Sequence, residues 1–240
     1  MQKQILDRFI QKYNLNGNVN AVKWKSNNNT LSTDFVTADK SLLGSLKMTN
    51  FNFKDSEIGV YNTDKLKSLL GVLDGDVSLD IQEVGDKSVS LDVANGSTSI
   101  NYVLSDLSII PDPPSLKHIP DFDLKLEVDS KFIEKFIKGK SALNDVDTFT
   151  IVEKSGDIKC VIGYASTNTN RINLDTKVIG DYELTNPLTF NANLFRDVLS
   201  ANKECTSATL EVSNEGLARI SFKVDDYDST YFIVATQGVD

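Results

Sequence analysis

The feature that most constrains this chain is that it repeats itself. YNTDKLKSLLGVLDGDVSLDIQEVGDKSVSLDV, from Tyr61, and FNANLFRDVLSANKECTSATLEVSNEGLARISFKV, from Phe190, run in the same order: an aromatic residue, an Asn, a cap, an amphipathic helix, then three strands. Upstream of each, LDRFIQK (6–12) and IEKFIK (133–138) share their apolar spacing at nearly the same offset. A pattern recurring in order across both halves points to duplicated domains rather than chance. A chain of 240 residues admits one large domain or two compact ones. Duplication selects two, 1–104 and 123–240. Between them, residues 105–122 hold four of the five prolines and read as a stiff, extended connector.

Helical periodicity marks four segments, 2–13, 63–73, 129–140 and 192–203. Most of the remainder alternates or is β-branched in short runs closed by Asn, Gly and Asp, as in 77–104 and 208–235. Turn signals at Glu83-Val84-Gly85-Asp86, Ala94-Asn95-Gly96, Asn214-Glu215-Gly216 and Asp225-Asp226-Tyr227-Asp228 cut each run into three antiparallel strands. The fold class is α+β.

Composition excludes several functions. No apolar run approaches the roughly 18 residues a spanning helix needs, and MQKQILDRFIQKYN is amphipathic, unlike a signal peptide; a cytoplasmic protein is expected. Cys160 and Cys205 are too few for a disulfide framework or a four-ligand zinc site and read as reduced thiols. His118, the single histidine, sits in the proline-rich stretch, away from any element that would hold a catalytic base rigid. No glycine-rich phosphate loop is present. Asp225, Asp226 and Asp228 sit where hairpin turns favour Asp for backbone reasons, so no metal is assigned to them. Trp24 reads as core or sheet surface rather than a base-stacking platform. The sequence carries no catalytic constellation and implies no cofactor, so no enzyme is expected.

Net charge is −9, which as a whole repels nucleic acid. Its distribution is uneven. The four helical segments hold 11 basic and 5 acidic residues, a net of +6, leaving 14 against 29, or −15, elsewhere. At 100° per residue, 129–140 sets Phe132, Ile133, Phe136 and Ile137 on one side and Lys131, Lys135 and Lys138 on the other. In 2–13, Ile5, Leu6, Phe9, Ile10 and Tyr13 oppose Gln4, Arg8, Gln11 and Lys12; in 192–203, Leu194, Phe195, Val198 and Leu199 oppose Asn193, Arg196, Ser200 and Lys203. In 63–73, Lys67 faces out and Lys65 lies on the boundary. On any single helix such lysines read as a solvated face. The same sign on all four, within an acidic protein, suits phosphate.

Two matching halves of paired amphipathic helices and antiparallel strands, a proline-bearing connector, an acidic exterior and cationic helices together resemble the DNA sliding clamps, the polymerase processivity factors. The layout is similar to proliferating cell nuclear antigen and the clamps of tailed phages, and covers essentially the whole chain. The helix-plus-three-strand block from Phe190 to Ala235 resembles them most.

The resemblance implies the DNA clamp fold closed into a homotrimeric ring, with helices lining the hole and sheets outside. Duplex DNA would pass through without sequence readout, contacted by Arg8, Lys12, Lys67, Lys131, Lys135, Lys138, Arg196 and Lys203. Neighbours would join by pairing Ser97–Leu104 with a strand near Arg171–Val178. DNA polymerase and a clamp loader would dock short peptides beside Ala38, Leu42, Leu43, Ile109, Ile110, Pro111, Ile233, Val234 and Ala235, the consecutive isoleucines being read as exposed. No membrane partner is implied. The compartment would be the host cytoplasm for a phage protein and the nucleus for a eukaryotic one. The alternative is a monomeric, clamp-like viral protein that binds DNA directly on one cationic face.

Overall fold

The structure, a computed structural model, describes residues 1–167 and 169–236. The chain forms two compact units, Met1–Ala38 with Gly44–Pro114, and Asp39–Leu43 with Ser115–Asp240. The division falls inside the proline-rich stretch, between Pro114 and Ser115. No helix among the described residues is long and apolar enough to cross a membrane.

The first unit runs α1 (Lys3–Asn14), β1 (Val22–Asn27), β2 (Thr30–Val36), β3 (Leu42–Met48, most of it in this unit), β4 (Ser56–Val60), α2 (Thr63–Leu70), β5 (Ser78–Val84), β6 (Lys87–Ala94) and β7 (Ser99–Val103). Its strands lie in the orders β3-β2-β1-β4 and β5-β6-β7. The second runs β8 (Leu124–Asp129), α3 (Ser130–Ala142), β9 (Thr148–Lys154), β10 (Asp157–Ile162), β11 (Ile172–Asp175), β12 (Lys177–Val178), β13 (Leu188–Asn191), α4 (Ala192–Ala201), β14 (Ser207–Ser213), β15 (Leu217–Val224) and β16 (Tyr227–Val234). Here the orders are β12-β8-β14-β15-β16 and β11-β10-β9-β13.

Local chemistry sets the helix starts. Asn62 Oδ1 accepts the Lys65 N–H at 2.8 Å, Asp129 Oδ1 accepts that of Phe132 at 2.7 Å, and Asn191 Oδ1 accepts those of Asn193 and Leu194. Helix α2 stops at Leu70, three residues before its apolar pattern ends: beyond it the Val72 and Leu73 N–H groups reach back only three residues, to Leu69 O and Leu70 O, so the last turn tightens. Helix α4 ends at Ala201 rather than at Lys203: the buried Asn202 gives its Nδ2 hydrogens to Val198 O and Tyr231 Oη, which fixes the exit.

Each core is organised around aromatic rings. In the first unit Phe9 meets Trp24 edge-on at 5.6 Å, and Tyr13 lies against Trp24 and Phe35, each at 6.3 Å. Trp24 is thus core. In the second, Phe136 stands edge-on to Phe149 at 5.2 Å and to Phe195 at 4.9 Å, while Phe149 and Phe195 stack at 4.8 Å. Both cysteines are buried, and burial pushes the Cys160 thiol up from its ordinary value, away from reactive thiolate.

Candidate nucleic-acid interface

The helix pair of each unit carries the residues expected to meet phosphate. Setting the N-caps of α1 and α3 together, Gln2 on Asp129, puts Phe9 on Phe136, Leu6 on Ile133 and Ile10 on Ile137. The same alignment puts Gln4, Arg8 and Gln11 on Lys131, Lys135 and Lys138.

On α3 the expectation and the structure coincide in placement. Lys131, Lys135 and Lys138 are all exposed, opposite the buried Phe132, Ile133 and Phe136. Glu134, one turn before Lys138, takes its ammonium, and that hydrogen bond holds the Glu134 carboxyl below the usual range. The last lysine of the helix behaves differently. Lys140 is buried, and its Nζ donates to Leu143 O at 3.3 Å and Asn144 O at 3.0 Å, so it closes the helix C-terminus.

On α1 the sequence reading needs correcting. Lys12, expected to face DNA, is fully buried. The N-cap alignment places it on Gly139, which packs against Ile162 and Ile172, and so on the core side of its helix. Twelve residues at 100° leave Lys12 near the boundary of the apolar stripe, and the buried neighbours Tyr13 and Asn14 decide which way it turns. Arg8 is half-buried, and Gln4 and Gln11 are the exposed residues of this face. Comparing the two halves position by position finds them; the charge pattern alone passes them over.

Helices α2 and α4 carry less exposed charge than expected. Lys67 is half-buried and donates to Asn14 Oδ1 at 2.8 Å, tying α2 to α1, while Lys65 is exposed beside Asp64. Arg196 is half-buried and bonds the carboxylate of its neighbour Asp197 at 2.8 Å. Lys203 lies exposed just beyond α4.

The residues expected to receive partner peptides divide in the same way. Ala38 and Pro111 are exposed, Ile109 is 56% exposed and Val234 49%, and Leu43 and Ala235 are half-buried. Leu42, Ile233 and Ile110 are buried, which corrects the reading of Ile109 and Ile110 as an exposed pair. Ile110 is drawn in because Gly59 leaves room for it. A Cβ at Gly59 would lie 2.9 Å from Ile110 Cδ1 and 2.4 Å from Ser105 O, whose own N–H donates to Gly59 O at 3.0 Å. Two ion pairs flank this contact, Lys87 with Asp106 at 3.1 Å and Lys23 with Asp112 at 2.7 Å. Hydrogen bonds from Ser108 and then Lys87 hold the Asp106 carboxyl down at about 2, so it stays ionised well into acid. The start of the connector is therefore fastened to the first unit. Gly59→Ala should push it off, lowering the thermal midpoint by the equivalent of about 1–3 kcal/mol and exposing the chain near Ile110 to limited proteolysis.

Both strands expected at a subunit junction are sheet edges. β7 pairs with β6 alone, and β11 with β10 alone, within their sheets. The Leu104 N–H donates to Val89 O, and that of Asn95 to Thr98 O. By antiparallel alternation the backbone groups of Ser99, Asn101 and Val103 then point away from β6. Val103 is 73% exposed, an unusual state for a β-branched strand residue.

No protein-family model and no curated protein matches the chain by sequence. Solved structures match it in shape over nearly its whole length. Proliferating cellular nuclear antigen from Entamoeba histolytica is 14% identical, covering 98% of this chain and 96% of its own, with a TM-score of 0.73. A. fulgidus PCNA, solved with the C-terminal region of FEN-1 bound, is 12% identical, covering 100% of this chain and 98% of its own, with a TM-score of 0.77. Agreement this complete at such low identity establishes the architecture: two duplicated α+β units, each with a helix pair on antiparallel sheets, make this chain an example of the DNA sliding clamp fold.

Proposed function

We propose that this protein is a sliding clamp, a non-enzymatic ring of three copies that encircles duplex DNA and tethers replication proteins to it. The observation that carries the reading is the match to the clamp fold over nearly the whole length of both chains. Two features support it. β7 in the first unit and β11 in the second are edge strands of their sheets, and closing a ring through β7 and the 171–178 region would pair both. Helix α3 offers lysines on flexible stems, which bind phosphate without reading bases and so permit sliding.

Protein partners fit the same reading, since a clamp of this fold has been solved with a segment of FEN-1 bound. Ala38, Ile109 and Pro111 in the first unit, and separately Leu43, Val234 and Ala235 in the second, are the expected apolar residues left available for short peptides. Residues 105–122 act as the connector between the 1–104 and 123–240 halves.

Light scattering tests the ring directly. A mass three times 26.5 kDa at micromolar concentration is expected. The loaded protein should then stay on nicked circular DNA through a high-salt wash and leave once the DNA is linearised. A monomer with equal loss from both DNA forms would establish the direct, one-faced binder instead.

A further inference from the structure

We propose that α3 of the second unit, through exposed Lys131, Lys135 and Lys138, carries most of the phosphate contact in this clamp, and that the equivalent face of α1 in the first unit contributes little. The inference rests on the clamp reading and deepens it, since duplication by itself would give both units the same role.

The asymmetry comes from equivalent positions. Where α3 has three exposed lysines, α1 has exposed Gln4, half-buried Arg8 and exposed Gln11. The other basic residues of the first helix pair are occupied at home. Lys3 pairs with Asp7 at 3.1 Å, Lys12 is buried, and Lys67 donates to Asn14. Exposed Lys65 stands beside exposed Asp64, so the two add no net charge. In the second unit Glu134 is the one carboxylate of α3, and it engages a single lysine, Lys138. Exposed Lys203 stands beside exposed Glu204, so it adds no net charge.

The physical consequence follows from counterion release. A glutamine amide bonds a phosphate oxygen but displaces no condensed cation, so it adds little to the salt-dependent part of binding. A lysine displaces about one.

The test measures binding of a short linear duplex between 50 and 200 mM salt for three variants. Lys131→Ala/Lys135→Ala/Lys138→Ala is expected to weaken binding at low salt by about tenfold or more and to flatten the salt slope by several, with an upper bound of about 8 for a trimer. Arg8→Ala/Lys65→Ala should change affinity less than about twofold. Gln4→Lys/Gln11→Lys, which gives α1 the α3 pattern, should strengthen binding and steepen the slope. Unfolding midpoints confirm that each variant folds. Two results overturn the inference: a loss with Arg8→Ala/Lys65→Ala as large as with the lysine triple, or no gain with Gln4→Lys/Gln11→Lys. Failure of the ring reading shows separately, as equal loss of the wild-type protein from circular and linear DNA, and the slopes still decide which unit binds.

Discussion

Phe136→Ala is expected to destabilise the second unit by about 3–5 kcal/mol, a large share of the roughly 5–15 kcal/mol that keeps an ordinary domain folded. Phe136 is fully buried on α3, edge-on to Phe149 on β9 and to Phe195 on α4. It therefore joins both helices to the sheet beneath them. Removing the ring deletes its transfer free energy and two favourable edge contacts, and leaves a cavity lined by rigid rings that collapse poorly. Its exposed neighbour on the same helix, Lys135, provides the contrast: Lys135→Ala should shift stability by less than about 0.5 kcal/mol. Urea denaturation followed by far-UV circular dichroism measures both. A loss below about 1 kcal/mol for Phe136→Ala would mean that the helix pair is held by something other than this ring cluster.

Asn101→Pro should abolish the ring while sparing the fold. Asn101 lies at the middle of β7, with its backbone N–H pointing away from β6, so proline there removes no bond within the sheet. It does remove a donor that edge-to-edge pairing with a neighbouring copy needs, and its ring blocks the close approach of a second strand. The local cost is the side-chain hydrogen bond to Asp92, an exposed contact of small net worth. If the proposed ring forms, light scattering should therefore report monomer at concentrations where the unaltered protein gives a trimer, and retention on circular DNA should disappear. The unfolding midpoint of a monomeric reference should barely move. A trimer that survives Asn101→Pro would place the junction elsewhere. Tyr102→Pro provides the opposite control, because its N–H faces β6 and its loss breaks the sheet itself.

The two substitutions separate two kinds of information in the chain. Helix α3 was legible from periodicity because its apolar and charged residues occupy clean opposite faces: Phe132, Ile133 and Phe136 are buried, and Lys131, Lys135 and Lys138 are exposed. The six meander strands β5 to β7 and β14 to β16 were legible for a similar reason, since turn residues such as Gly85 and Asp225, both at positive φ, punctuate a period-2 pattern. Lys12 was not legible. It lies at the margin of its stripe, where a rotation of a few tens of degrees moves a side chain from solvent to core, and no local rule fixes that rotation. Ile110 was missed because its burial depends on Gly59, far back in the sequence, having no side chain. Lys67 was missed because its partner, Asn14, is brought to it by the packing of α1 on α2.

The sequence by itself determined the duplication, the order of elements within each half, the edges of the meanders and the cationic face of α3, all of which follow from short-range periodicity and turn chemistry. Tertiary structure alone decided which of the basic residues reach solvent and how the connector is pinned at Gly59, Lys23 and Lys87. The physical reason is one of range. A pattern of three or four residues sets which face of a helix is apolar, but whether a long side chain at the edge of that face is buried, paired or exposed depends on atoms dozens of residues away.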